Sequence, residues 1–413
     1  MLARCVESVR RCFRQTVGNH SYIGCAILAM MYTVDELRTL PPGLIDLLRQ
    51  HGFDENLFES LASTVGLFAP DNLGARNRVS GEVLPPLPSD ISRLSCVDGP
   101  TGSSGETKLY ELGMDAISRG QLAFVVLAGG MATRMDGVVK ALVEVFDGHS
   151  FLDIRLAENR KWSLLTNRDV PLWMMTSHVT DAALREALVG LRAGDHVVAF
   201  QQNLSLRLAP NGSLFRGADG LPSVYAPGHG DLPDALKRAG LLRRFIDGGG
   251  RFLWIANIDN IGACIDPTVL GWHIQHGAAV TVEVVDKAAN DRGGIPVRWD
   301  GKPVVLEEFR LPQSFDPSTV GVFNTNTFLV DAVRLADIDF AFTWFQVRKK
   351  VDGFDAIQFE RLIGEITTPL PTRFVSVPRE GVASRFIPVK DHRELEQRRQ
   401  QIRSLVKARR IIG

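Results

Sequence analysis

Apolar residues follow two different rhythms along this chain. Across residues 34–67, Leu37, Leu40, Leu44, Leu47 and Leu48 recur every three or four positions around a break at Pro41 and Pro42, which is the spacing of one helix face. A small helical N-terminal region is predicted there. Residues 71–105 are rich in Gly, Pro, Ser and Asp and read as a connection over the surface. Beyond them, short continuous apolar runs at 123–128, 172–175, 197–200, 252–256 and 280–285 have the character of strands buried on both faces. Helical periodicity fills the intervals at 151–165, 181–191, 232–246 and 267–276. Strands alternating with helices predict an α/β fold wound around a mainly parallel sheet.

The expected organisation is then a start-site extension with little structure over residues 1–30, a helical region and linker over 31–105, an α/β domain over 106–390 and a basic C-terminal helix over 391–413. The extension is read from Arg4, Arg10, Arg11 and Arg14 standing against the single acid Glu7, with Met30 and Met31 just before the better-patterned sequence.

Composition narrows the function classes. Lys plus Arg (47) equals Asp plus Glu (47), so no global field attracts nucleic acid or an anionic membrane. Phosphate binding, if present, must be local. The cysteines, Cys5, Cys12, Cys25, Cys96 and Cys264, include no C-x-x-C pair and no zinc-ligand spacing, which fits a reducing cytoplasm. The longest apolar stretch near the N-terminus, residues 22–34, falls short of the roughly 20 needed to span a bilayer.

The first strand runs into Ala128-Gly129-Gly130-Met131-Ala132-Thr133-Arg134-Met135-Asp136-Gly137-Val138-Val139-Lys140. Ligands of open parallel sheets collect beyond the carboxyl ends of strands, where a glycine turn lets backbone N–H groups approach phosphate oxygens. Arg134 and Lys140 would add positive charge. The string is neither G-x-G-x-x-G nor G-x-x-x-x-G-K-[ST], which argues against a dinucleotide enzyme and a P-loop ATPase. Its plainest alternative is a strand-to-helix turn with two solvated bases. As a whole it resembles the L-x-G-G-x-x-[TS]-R-[ML]-G…K loop of sugar-nucleotide pyrophosphorylases.

Further motifs agree in order. A-P-G-H-G-D at 226–231 resembles the P-G-H-G-D of eukaryotic-type UTP-glucose-1-phosphate uridylyltransferases, and N-I-D-N-I-G-A at 257–263 is similar to that family's N-I-D-N-L-G-A. P-L-W-M-M-T-S-H-V-T-D (171–181), F-Q-Q (200–202), E-V-V-D-K (283–287), Gly293-Gly294, Leu306-Glu307, F-N-T-N (323–326) and S-R-F-I-P-V-K (384–390) complete the set. The resemblance covers roughly residues 120–395. It implies a Rossmann-like, GT-A-like nucleotidyltransferase fold, with a mixed, mainly parallel sheet. Eukaryotic members append a C-terminal β-helix; only some twenty residues follow Lys390 here, so the β-helix is expected to be absent.

The implied reaction is Mg²⁺-dependent attack of glucose 1-phosphate on the α-phosphorus of UTP, giving UDP-glucose and pyrophosphate. Lys140, Arg134 and Lys390 are the expected catalytic cations, with Lys390 carried by a C-terminal strand, and Asp259 the expected metal ligand. Gly129, Gly130, Gln202, Gly228 and His229 are expected at the nucleotide, Gln201 being the alternative to Gln202. Asn257, Gly294, Glu307, Asn324 and Asn326 are expected at the sugar. Ala132 and Asp136 stand where the family has glycines and Val139 where it has proline. The spacing from Met135 to Lys140 is one residue shorter than usual and resembles that of molybdenum-cofactor guanylyltransferases. Another nucleotide, another sugar 1-phosphate such as galactose or N-acetylglucosamine, and a catalytically weak nucleotide-sugar-binding regulator are the alternatives.

Overall fold

The computed structural model describes residues 36–65, 77–94, 104–132, 135, 137–338 and 340–412. The start-site extension expected over residues 1–30 lies outside them, as do Met30, Thr133, Arg134 and Asp136. The chain divides into two compact units.

The larger unit, Asn77–Leu204, Ala226–Phe345 and Glu360–Gly413, is built on an eight-stranded sheet. In chain order its strands are β1 (Ile91–Arg93), β2 (Leu122–Leu127), β3 (Leu172–Thr176), β4 (Val197–Gln201), β5 (Phe252–Asn257), β6 (Val280–Asp286), β7 (Val322–Asp331) and β8 (Thr372–Ser376). They lie in the spatial order β1-β8-β6-β7-β5-β2-β3-β4. Five of the seven pairings are parallel, and β7 alone runs against its neighbours β5 and β6. Every side chain of β2 and β3 is buried, as expected of central strands covered on both faces. That is why continuous apolar runs located them.

Flanking helices are α1 (Ser104–Ser118), α2 (Phe151–Thr166), α3 (Asp181–Gly190), α4 (Pro267–His276) and α5 (His392–Ala408). Ser150 and Asp153 form a capping box at the start of α2, and Asp266 accepts the Thr268 and Val269 N–H groups at the start of α4, so the helix starts are set locally. The helical run at 232–246 is broken into Leu232–Arg238 and Leu241–Asp247. Gly240 sits between them at φ 66°, a left-handed conformation that stops a helix. The stretch read as a surface connection contains strand β1 at the sheet edge, and Val83–Leu84, which extends the hairpin of Gly294–Trp299 and Lys302–Glu307. Strands of two and three residues among Pro85, Pro86 and Pro88 are too short to leave a periodic signal.

The smaller unit gathers the described part of Met1–Arg76 with Ser205–Tyr225 and Gln346–Phe359. It holds helices Pro42–Gln50 and Glu55–Ala62, the second capped by Asp54. Ser205–Leu206 pairs with Val224–Tyr225, and the Tyr225 hydroxyl donates to the Phe359 carbonyl and accepts its N–H. Among the described residues no helix is long and apolar enough to cross a membrane.

Helices α1 and α4 approach through a reciprocal pair of glycines. A Cβ on Gly113 would stand 1.9 Å from the Pro267 carbonyl oxygen, and one on Gly271 would stand 1.8 Å from that of Leu109. Backbone cannot yield as a flexible side chain can. Gly113→Ala and Gly271→Ala are each expected to destabilise the fold by about 1–3 kcal/mol, the usual range for overpacking, read as a lower urea midpoint with an unchanged slope.

Candidate active site

The carboxyl ends of β2, β3, β4 and β5 lie side by side. Ala128 N–H donates to the Met175 carbonyl (2.8 Å), Gln202 N–H to that of Thr176 (2.9 Å) and Ile258 N–H to that of Leu127 (3.2 Å). Gly129, Gln202 and Asp259 therefore share one sheet edge. A Cβ at Gly129 would lie 2.3 Å from Gln202 Nε2, so the absent side chain makes room for that amide. Gln202 is buried, and its Oε1 accepts the Gly228 N–H at 3.1 Å. The amide thus bridges two of the three glycines predicted at the nucleotide, Gly129 and Gly228. Gly130 faces open space.

The glycine loop does not lead straight into a helix. Met131–Ala132 pairs with Val138–Val139 as a small antiparallel ribbon, Gly137 takes φ 70°, and Lys140 opens the 3₁₀ turn Lys140–Leu142. Arg134 lies outside the described residues. Lys140 Nζ forms an ion pair with Asp259 Oδ2 at 2.5 Å, with 19% and 10% of the two side chains exposed. The predicted cation and the predicted metal ligand are direct neighbours, although 119 residues separate them in sequence.

Asp259 sits on a turn held by buried arginines. Arg155 donates to the carbonyls of Asn257 (3.3 Å), Asn260 (2.5 Å) and Ala263 (3.2 Å) and pairs with Glu158 (2.8 Å), whose other oxygen accepts the Ile265 N–H. Arg385 reaches the Cys264 carbonyl (2.8 Å) and both oxygens of Glu283, while Arg409 reaches the Gly262 carbonyl (2.9 Å). Sequence reasoning assigned none of these a role. Arg155 alone had such a signal, a charge on an apolar helix face: it follows Phe151 by four and precedes Glu158 by three, the spacing of one face.

His229 lies in a 3₁₀ turn packed against residues 361–363. A Cβ on Gly230 would be 2.3 Å from the Leu362 nitrogen. The His229 Nδ1 accepts the Ile363 N–H at 2.9 Å, and burial pushes its pKa down to about 4. A neutral ring accepting at Nδ1 carries its proton on Nε2, so this histidine offers one donor. Asp231, next along, pairs with Arg361 and accepts the Asn203 N–H, which fixes the turn against β4.

The five residues predicted at the sugar meet beside β7. A bulge opposite Glu283 and Val284 breaks the register there, and Asn326 takes φ 59°. Asn326 Nδ2 donates to Asn257 Oδ1 (3.0 Å), and Asn326 N–H to Asn324 Oδ1 (2.9 Å). Gly294 pairs in register with Glu307, and a Cβ on it would stand 3.1 Å from Glu307 Oε1 and 3.2 Å from Asn324 Nδ2. Burial, reinforced by the neighbouring charge of Glu308, raises Glu307 to about 7. Among the described residues nothing donates to its carboxylate.

Among the described residues Lys390 makes no hydrogen bond or ion pair with Lys140 or Asp259. It is exposed; its N–H donates to Glu394 Oε2 at 2.8 Å, and its charge acts on Asp291. The strand expected to carry it is an irregular segment. Pro388 interrupts any ladder there, and the Ile387 N–H is taken by the Asn260 side chain.

Residues 108–408 match the family model described as UTP–glucose-1-phosphate uridylyltransferase. The chain belongs to this family. The UTP–glucose-1-phosphate uridylyltransferase of Encephalitozoon cuniculi is 30% identical over 285 residues, 65% of this chain and 56% of that protein; that of Saccharomyces cerevisiae is 29% identical over 290 residues, 65% and 57%. The chain thus spans about half the length of the curated relatives it matches. A crystal structure titled UDP-glucose phosphorylase, from Trypanosoma brucei, shares the fold with a TM-score of 0.65 at 22% identity, covering 91% of this chain and 79% of that one. The uridine diphosphate N-acetylglucosamine pyrophosphorylase of the same organism gives 0.66 at 21% identity, covering 94% and 85%. The family is one of nucleotidyltransferases, a class that generally works with a divalent metal.

The raised Glu307 carboxyl sets a pH test. Its folded value of about 7 exceeds the ordinary 4.5, so across that window the folded protein keeps a proton that the unfolded chain has lost, and stability falls as pH rises. Glu307→Gln is expected to melt with the parent near pH 4.5 and above it at about pH 8. A pH-independent difference in melting temperature would refute the assignment.

Proposed function

We propose that this protein joins UTP to glucose 1-phosphate, releasing pyrophosphate and forming UDP-glucose, with Mg²⁺ as its metal and the cytoplasm as its place of work. In this reading residues 106–390 form the transferase body. The observation that carries the proposal is the Lys140–Asp259 pair at 2.5 Å, set beside the glycine loop. A phosphate oxygen of the sugar phosphate bonds to the α-phosphorus, the bridging bond to the β-phosphate breaks, and pyrophosphate leaves with the electron pair. No proton need move. The demand on the protein is to hold two anions together, which positioning and electrostatics supply.

One carboxylate suits Mg²⁺, which keeps water and takes phosphate oxygens in place of a full protein cage. Among the described residues no group of three or more acidic, histidine or cysteine side chains competes for that role. The Asp259 carboxylate, paired with Lys140, would hold the ion, which would supply charge neutralisation at the triphosphate. Lys140, released from the carboxylate, turns its ammonium to the phosphates. Gln202 presents its amide to the uracil, while the His229 Nε2–H donates to ribose or phosphate. Glu307 accepts from sugar hydroxyls, with Asn257, Asn324, Asn326 and Gly294 around them. Arg134 and Lys390 complete the cations, Lys390 from the side of Asp291.

The test crosses four nucleoside triphosphates with glucose, galactose and N-acetylglucosamine 1-phosphates and follows pyrophosphate release with and without Mg²⁺. Release is expected with UTP and glucose 1-phosphate and only in the presence of Mg²⁺; silence in every combination sinks the reading. Lys140→Ala and Asp259→Ala should each cut kcat by about 10²–10³, the scale of losing one electrostatic contact in the transition state, with circular dichroism unchanged. A near-parental rate in either variant would remove that residue from the mechanism.

A further inference from the structure

A cleft of about 540 Å³ lies where β6 and β8 begin, unused by the site above. Its walls include Arg298 and Lys302 from the hairpin, His276 from the last turn of α4 and Arg373 from β8. β6 has seven residues, so its two ends are about 20 Å apart at roughly 3.3 Å per residue. The strands that end at Asp259 and the glycine loop run parallel to it. The cleft therefore opens on the opposite edge of the sheet from those residues.

Its charges are out of balance. Arg298 is neutralised by Asp90 at 2.7 Å. Lys302 and Arg373 are both exposed and have no hydrogen-bonding or acidic side-chain partner among the described residues. His276 donates its Nδ1–H to the Trp272 carbonyl (2.8 Å) and stacks on that indole, so the Nε2 of the neutral ring is an acceptor and the ring forms a wall without adding a donor. Thr368 lines the same cleft, and its Oγ1 is shielded from solvent without a hydrogen-bond partner. Two uncompensated cations and a hydroxyl are groups that donate to phosphate oxygens. The volume falls in the range of small-ligand pockets, and cations gathered at one concave place lack the extended stripe a nucleic acid would need.

We propose that this cleft is a second, remote binding site for a small phosphate-bearing anion. Titration calorimetry of the full chain with inorganic phosphate, pyrophosphate and glucose 1-phosphate tests it by binding alone, so the result does not depend on the transfer reaction. With at least one of the three, a component is expected that survives Lys140→Ala and weakens about tenfold or more in the double variant Lys302→Ala, Arg373→Ala, the scale of removing two charge-assisted contacts. Whichever ligand gives that component identifies the source. The double variant should keep the parental melting temperature, since neither side chain is buried or paired. Binding that vanishes in Lys140→Ala, binding the double variant leaves unchanged, or no binding of any of the three overturns the proposal.

Discussion

The turn that follows β5 buries irregular backbone, and the rest of the site depends on how that backbone is satisfied. Residues 258–265 are all buried, and their carbonyls belong to no helix or strand ladder. A buried carbonyl without a donor costs about 1–3 kcal/mol; turn N–H groups reach the carbonyls of Asn257, Asn260 and Gly262, and those of Ala263 and Cys264 rely on side chains. Arginine answers this with up to five donors in one planar group. Arg155, Arg385 and Arg409 between them take the carbonyls of Asn257, Asn260, Gly262, Ala263 and Cys264. Glu158 and Glu283 balance the charge. Buried ion pairs of this kind often add little net stability against an apolar substitute; what they provide here is one fixed course for the chain, and Asp259 rides on it.

That course ties distant parts of the sequence to the same turn. Arg155 comes from α2, Arg385 from the segment before Lys390, and Arg409 from the residue after α5. The Asn260 side chain donates to the Arg385 carbonyl and accepts the Ile387 N–H, so the C-terminal segment is stitched to the turn from both sides. The Lys140–Asp259 pair can then be short and largely dry, because its acidic member is immobilised before any ligand arrives. Desolvation of that kind strengthens every charge interaction at the pair.

How much of this was legible in the sequence follows from the physics of each element. The five apolar runs became β2 to β6 with ends shifted by at most one residue, because strands covered on both faces need no alternation to be seen. Strand β7 surfaced only as the motif around Asn324 and Asn326: its bulge breaks the period of two and places polar side chains in the sheet. The edge strand β1 was too short to register. Among site residues, the proximity of Lys140 to Asp259, and of Gly129 and Gly228 to Gln202, is in keeping with the order of the motifs. The arginine cradle stayed hidden, since charged residues are read as solvent-facing: helical phase could have flagged Arg155, but Arg385 and Arg409 lie outside any helix. The expected strand at Lys390 failed because the segment gets its hydrogen bonds from an asparagine side chain instead of a neighbouring strand.

The two halves of the candidate site are prepared in opposite ways. At the nucleotide end nearly every polar group already has a partner: Gln202 holds Gly228, His229 holds Ile363, and Lys140 holds Asp259. At the end expected to take the sugar, Glu307 is half-buried beside Glu308 with no donor among the described residues, and its carboxyl is raised to about 7. A rigid, satisfied surface loses little entropy on binding, whereas an unsatisfied buried carboxylate gains most from a ligand that brings hydroxyl donors. Discrimination is strongest where a missing donor leaves a buried acceptor unpaired. If the proposed reaction holds, selectivity among sugars would be concentrated at Glu307 and the bulge beside it, with the braced half around Gln202 supplying the fixed frame.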